Sequence, residues 1–255
     1  MARGPAEMPF LDHLEELRWR LIWSLVALGV ATAVGLLIVS KLDVIGVLER
    51  PIRQLLPDQK LLFTSPTTPF LVTLKLAFLV GLVLAIPFVA YQVWGFLAPA
   101  LKDEERKYVI PAIWVSFGLF LAGIAMAYFL VLPLGLRFLL GIQSQSLSPI
   151  ITIDEYLKFA TRMLLGFGII FELPVIMVVL AAMGVVTPEF LKKYRRHALV
   201  VLAALSALLT PPDVGTMLMM MTPLFLLYET SIWLVRLVTR ARRRRPEGAA
   251  EETAG

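Results

Sequence analysis

Four times this chain runs apolar for about the thickness of a lipid bilayer: at 21–39, 70–96, 109–132 and 159–183. A hydrocarbon core takes about 20 residues of helix, and in it every backbone N–H and C=O must be satisfied within the chain itself. Measured by that ruler, the four runs predict membrane-spanning helices. A less regular region follows. Residues 198–209 form a run of about 12, or about 18 Å of helix, then "TPPD" turns the chain into a last run at 215–235. The expected fold is all-α: a polytopic membrane protein of six transmembrane helices, the fifth and sixth short, with local bilayer thinning around the fifth. Composition agrees, with 58% hydrophobic and 17% charged residues, too apolar for a soluble domain. Residues 1–240 read as a single six-span membrane domain. The tail 241–255, "ARRRRPEGAAEETAG", reads as a basic then acidic disordered segment.

Lys and Arg set the orientation. Sixteen of them fall on one side, in the amino-terminal segment, around 102–107, at 192–196 and after 235, against six on the other. The positive-inside rule puts both termini in the cytoplasm, which agrees with an even number of spans. The basic surplus is explained by topology, so no nucleic-acid partner is expected. Residues 21–30 followed by Ala31-Thr32-Ala33 imitate a signal peptide, but Glu7, Asp12, Glu15 and Glu16 precede them and the apolar run continues to Val39. There is no cysteine, and His13 and His197 are the sole histidines, so no metal or other cofactor is expected. The outer loops carry "ERPIRQLLPDQ", "SPTTP" and "LPLGLRFLLGI", the last able to continue as a helix.

The polar residues inside the runs need reasons. A charge at the bilayer centre costs about 2.5–3.5 kcal/mol, yet Glu172 lies deep in "GFGIIFELPVIMVVL". It is either a functional acid or a protonated carboxyl bonded to a neighbouring helix. Arg162 is about 15 Å away along the same helix and cannot pair with it. Pro87, Pro174 and Pro223 each free a carbonyl within a span, which suits kinked helices in a cupped arrangement, although packing alone can also account for them. Gln92 is a candidate partner in the same polar region. Glu229 reads as structural, with Thr230 or Ser231 to satisfy it, and Lys75 snorkels. At the amino terminus, Phe10, Leu14, Leu17 and Leu21 recur at helical spacing, which predicts an amphipathic helix over about 9–20 lying in the interface. Asp103, Glu104 and Glu105 form an acidic cluster on the basic side, either a solvated loop balanced by Arg106 and Lys107 or an acceptor for a cationic ligand.

"HLEELRWRL", "RPIRQLLP", "SPTTPFLVTLKLAF", "YQVWGFLAPALKDEERKYVIP", "FELPV" and "LLTPPDV" follow one another in this order, and in them the chain closely resembles the TatC family, the multispanning receptor of the twin-arginine protein translocase. The resemblance implies a cupped six-helix protein of the bacterial cytoplasmic (inner) membrane that recognises Arg-Arg signal peptides of folded cargo. It implies partners as well: small single-span Tat subunits of the TatA/TatB type, further copies of this chain in the receptor complex, and membrane lipid. Proton-motive force is the implied energy source. Carried over by position, Glu16 and Arg18 match the amino-terminal motif, and Glu105 and Arg106 the loop motif, with Glu105 as acceptor of the cargo guanidinium groups. Phe96 matches the neighbouring aromatic, Pro51 the outer-loop proline, Glu172 the intramembrane acid that helps position the single-span partners, and Asp213 the acid of the last outer turn. Glu15, Asp103 and Glu104 stand beside the matched acids and can share the contact.

Other classes are weaker. An ion-coupled transporter relaying through Glu172 expects several ionisable groups and a repeat, and neither is visible. An intramembrane hydrolase expects a motif such as H-E-x-x-H or G-x-S-x-G, and an ATPase a G-x-x-x-x-G-K-[ST] loop; none is present. The expectation is a protein that performs no chemistry on its cargo.

Overall fold

Prolines and glycines decide where these apolar runs bend and how closely they approach. The computed structural model describes residues 10–56, 61–97, 109–141, 150–211 and 213–252. Among them the chain is helical throughout, apart from turns and a single bridge between Leu62 and Thr152. The helices are α1 (Phe10–Lys41), α2 (Val44–Arg53), α3 (Thr68–Leu97), α4 (Val109–Met126), a π-helical turn (Ala127–Val131), α5 (Leu132–Gly141), α6 (Ile153–Ile170), α7 (Leu173–Ala182), α8 (Pro188–Lys193), α9 (Arg195–Leu209) and α10 (Val214–Glu252). Five stretches are long and apolar enough to cross a membrane: Leu14–Lys41, Thr68–Phe96, Ile110–Gly141, Ile153–Ala182 and Val214–Arg240. Large apolar side chains along them, among them Leu25, Val30, Leu37, Trp114, Phe129 and Leu226, are exposed, as lipid-facing surface must be in a multi-pass membrane protein.

Where a short fifth span was expected over 198–209 there is a helix, α9, of 15 residues or about 22 Å, which is shorter than the hydrocarbon core and is not one of the five long apolar stretches. Two expectations differ from what forms. The amphipathic segment is not a separate interfacial helix: α1 is continuous for 32 residues, about 48 Å, because no proline interrupts it and an i,i+4 ion pair, Glu16–Arg20, straddles the junction. The last helix is not short either. It runs 39 residues to Glu252, through the segment expected to be unstructured, whose Arg, Ala and Glu are strong helix formers.

Three prolines leave distinct marks. Pro133 cannot donate to the carbonyl of Phe129, and the helix takes up a π turn just before it, with the Leu132 N–H donating to the Ala127 carbonyl. Pro174 breaks the fourth span into α6 and α7, joined by a turn at Phe171 and Glu172. Pro51 sits inside α2, and its consequence is taken up below. At the end of α7, Gly184 has φ 78°, and the Val185 N–H closes back on the Leu180 carbonyl at 2.9 Å, the left-handed stop that favours glycine.

The chain gathers into two units. The first comprises Met1–Val44 and Thr73–Phe117, the second Ile45–Val72 and Gly118–Gly255. In the first, α1 and α3 touch backbone to backbone through small residues. A Cβ on Gly35 would lie 2.3 Å from the Ala77 carbonyl oxygen, and one on Gly81 2.5 Å from the Thr32 Cα. Without a hydrophobic drive between helices in lipid, such close approach supplies the packing. In the second unit, Phe120, Leu132, Leu157, Met163, Phe167, Leu224 and Ile232 form a fully buried core, and Gly123 brings α4 within 2.6 Å (a would-be Cβ) of the Phe167 carbonyl on α6.

Gly81→Val is therefore expected to lower the detergent-solubilised unfolding midpoint, at a cost of about 1–3 kcal/mol. Gly29→Ala, where nothing lies within 4 Å of the added methyl, leaves the midpoint unchanged.

Candidate functional site

In the first unit the polar side chains of α1 and α3 meet at one end of the helix pair. Glu16 and Arg20 lie one turn apart on α1, and Glu16 Oε1 accepts from both Arg20 Nε at 2.8 Å and Nη2 at 2.5 Å. The remaining Nη1 lies 3.4 Å from both the backbone carbonyl and the Oε1 of Gln92 on α3. This approach needs glycine at 95, where a Cβ would fall 2.2 Å from Nη1. The guanidinium is thus held flat against the α3 backbone, and it fixes the carboxylate in turn. Because both donors use one oxygen, Glu16 Oε2 is enclosed yet has no hydrogen-bond partner among the described residues. An enclosed carboxylate oxygen without a donor costs free energy unless a partner arrives. Arg18 is exposed, and Phe96 is half-buried, near the end of α3. Glu105 and Arg106 lie outside the described residues.

Gln92 was expected beside the intramembrane acid; the partner it meets here is Arg20. Arg20 itself escaped the sequence reading, although its i,i+4 spacing from Glu16 was a visible signal.

Glu172 lies in the second unit, in the turn that Pro174 forces. It is half-buried, with backbone angles φ −73° and ψ −14° and no side-chain bond capping α7. Its N–H donates to the Ile169 carbonyl at 3.1 Å, and its own carbonyl accepts from Ile176 at 3.0 Å. The carboxyl therefore stands at the amino-terminal end of α7, where the helix dipole favours a negative group. A carboxyl in an unbroken helix would have no such setting.

Pro51 is buried in α2 and removes the N–H that would have bonded to the Val47 carbonyl. The hydroxyl of Tyr128, from the π turn, donates to that carbonyl at 2.5 Å. Tyr156 on α6 donates to the next carbonyl, Leu48. Glu49, also buried, takes Arg53 Nε at 2.9 Å and Nη2 at 2.5 Å. Helix α2 is thus strapped down by two tyrosines that sequence reading missed. A tyrosine inside an apolar run is itself the signal, since its hydroxyl requires a partner.

Asp213 caps α10. Its Oδ1 accepts from the Thr216 N–H at 2.7 Å, and its Oδ2 accepts from the Thr216 hydroxyl, the arrangement that satisfies an orphan amide at a helix start. Glu229 pairs with Arg195 at 2.6 Å and not with its neighbours: the Thr230 and Ser231 hydroxyls donate to carbonyls one turn back, those of Leu226 and Leu227. This ion pair ties the start of α9 to α10.

Fold and polar sites together define a multi-pass, all-helical membrane protein whose charged side chains are gathered at helix ends and helix breaks, with no cluster able to hold a metal among the described residues. Comparison with known proteins specifies it further. The family model for the Sec-independent protein translocase protein (TatC) matches residues 12–223. Proteins named Sec-independent protein translocase protein TatC are similar along nearly the whole chain. The one from Desulforapulum autotrophicum is 38% identical, covering 99% of this chain and 93% of the relative. The Aquifex aeolicus protein is 39% identical (92% and 98% covered), and that of Escherichia coli K12 is 37% identical (94% and 92%). A crystal structure described as that of the twin-arginine translocase receptor TatC superposes with a TM-score of 0.81 at 38% identity, covering 89% of this chain and 99% of that one. The chain belongs to the TatC family and is a protein-transport component of the twin-arginine system, not an enzyme.

The tyrosine strap yields a test. Tyr128→Phe keeps the ring and leaves the Val47 carbonyl without its donor, so it is expected to cost about 1–3 kcal/mol. The α2 amides should then exchange hydrogen faster by mass spectrometry while those of α9 stay protected. Unchanged exchange in α2 would show that the hydroxyl is dispensable.

Proposed function

We propose that this chain is the receptor that reads Arg-Arg signal peptides of folded cargo and on which the small single-span TatA/TatB-type subunits assemble. The observation that carries this is the spare acceptor on Glu16: a carboxylate whose one oxygen is locked by Arg20 while the other is enclosed and has no partner among the described residues. A guanidinium is the ligand such an oxygen suits, because charge-assisted bonds from Arg to carboxylate are short and strong. Arg18 and Phe96 flank the same end of the α1–α3 pair by sequence position, and Glu105 with Arg106 follows α3 in the sequence. Glu105 is the main acceptor of the cargo guanidinium groups, and Glu16 a second one.

Glu172 is the contact for single-span partners. Its placement at a proline-induced helix break supports this, since a carboxyl there can anchor a polar group from another membrane helix. Pro51 and Asp213 keep α2 and the turn before α10 in shape. The basic surplus supports cytoplasmic termini, in a bacterial inner membrane. Several copies of the chain make up the receptor complex, and proton-motive force drives transport, a potential supplying about 2.3 kcal/mol per charge per 100 mV.

Binding of an Arg-Arg signal peptide and of its Lys-Lys version to the chain in nanodiscs tests the recognition. Wild type is expected to prefer Arg-Arg. Glu105→Ala should remove the preference, at a cost of about 1–3 kcal/mol, and Glu16→Gln should weaken it. Equal binding of both peptides by wild type would contradict the assignment.

A further inference from the structure

A cleft of about 300 Å³ opens between α8 and α10, lined by Thr187, Pro188, Glu189, Lys192, Arg236, Thr239 and Arg240. Three of those side chains are cationic, and none of the three has an ion-pair or hydrogen-bond partner among the described residues; the one opposing charge in the lining is Glu189. Two of the cations, Arg236 and Arg240, lie one turn apart on α10, and Lys192 faces them from α8. Like charges gathered without counter-ions repel one another, and an anion between them removes that repulsion. The Thr187 hydroxyl accepts from the Phe190 N–H, so its proton is available to a ligand oxygen. Glu229, further back on α10, is engaged through Oε2 with Arg195 on α9 and is not part of the cleft lining.

The setting identifies the source of the anion. Arg236 and Arg240 directly follow the apolar run that stops at Val235, where a basic flank is expected at the membrane surface. Phe190 and Tyr194 on the α8 side and Trp233 on α10 are all exposed, and exposed aromatics of this kind mark headgroup level in a membrane helix. Leu237 and Val238, beside Arg236 on α10, are exposed and apolar, a surface against which an acyl chain can lie. We propose that this cleft is a binding site for the phosphate headgroup of an anionic phospholipid, held by Lys192, Arg236 and Arg240. Basic pockets at helix ends recognise such headgroups by this chemistry. The site is separate from the polar cluster of α1 and α3 and does not depend on the role given to Glu16 or Glu105.

The test uses the full chain in nanodiscs of phosphatidylcholine and phosphatidylglycerol in equal amounts, with the lipid retained after mild extraction identified by native mass spectrometry. Wild type is expected to retain phosphatidylglycerol selectively. Combined Lys192→Gln, Arg236→Gln and Arg240→Gln should lower that retention by about tenfold, whereas Lys193→Gln with Arg196→Gln, equal in kind but outside the cleft, should not. Glu189→Gln should raise it. Equal loss in both sets would assign the effect to general surface charge and overturn the site, as would no loss in the cleft variants. Displacement of the lipid by millimolar inorganic phosphate or glycerol phosphate would overturn the lipid assignment in favour of a soluble anion. Should the combined variant fail to fold, as judged by its thermal midpoint, Arg236→Gln alone carries the same comparison.

Discussion

A backbone carbonyl that loses its donor to proline must be satisfied in some other way, most of all inside a bilayer where no water can step in, and this chain contains several. Three of them show different outcomes. At Pro133 the helix widens into a π turn; at Pro174 it breaks and restarts as α7; at Pro51 a tyrosine hydroxyl replaces the missing amide. These local repairs determine where the polar side chains stand. The break at Pro174 gives Glu172 a helix amino terminus instead of an apolar flank, and the π turn carries Tyr128, the residue that holds α2. Backbone accounting in an apolar solvent thus shapes the parts of the molecule that later meet partners.

At the other polar centre the same economy of donors works in reverse. Arg20 satisfies one oxygen of Glu16 twice over and reaches the Gln92 carbonyl besides, which leaves the second oxygen enclosed with nothing to accept from among the described residues. Glycine at 95 permits the arrangement by letting the guanidinium lie against bare backbone. The carboxylate is already oriented by Arg20, so what an incoming guanidinium has to move is the shell that encloses the second oxygen, not the carboxylate itself. On the proposed function, Arg20 is a positioning residue: it sets the Glu16 carboxylate without itself meeting the cargo.

Much of the fold was legible because the bilayer imposes a length that apolar runs must meet. Four spans and a short helix at 198–209, which forms as 195–209, followed from that ruler. The amphipathic start of α1 was misjudged because periodicity shows which face is apolar but not whether the helix ends. The sixth helix was judged short because hydropathy stops at Val235, while helix propensity carries on through Arg and Ala. The sites were less legible. Glu172 stood out as an acid among apolar residues, and the motifs resembling the TatC family pointed to Glu16, Arg18, Phe96, Glu105, Arg106, Pro51 and Asp213. What no pattern in one dimension revealed was pairing across helices: Gln92 with Arg20, Tyr128 with Val47, Arg195 with Glu229. Those depend on which helices touch, and a single sequence does not record it.

The proposed recognition of Arg-Arg signal peptides by the α1–α3 end is tested most directly by photo-crosslinking. A photoreactive residue would replace Leu17, Phe96 or Pro51 in turn, in membranes presented with an Arg-Arg precursor. Crosslinks from positions 17 and 96 that vanish when the precursor carries Lys-Lys, with none from position 51, are the predicted result. Crosslinks that form equally from position 51, or that persist with Lys-Lys, would contradict it.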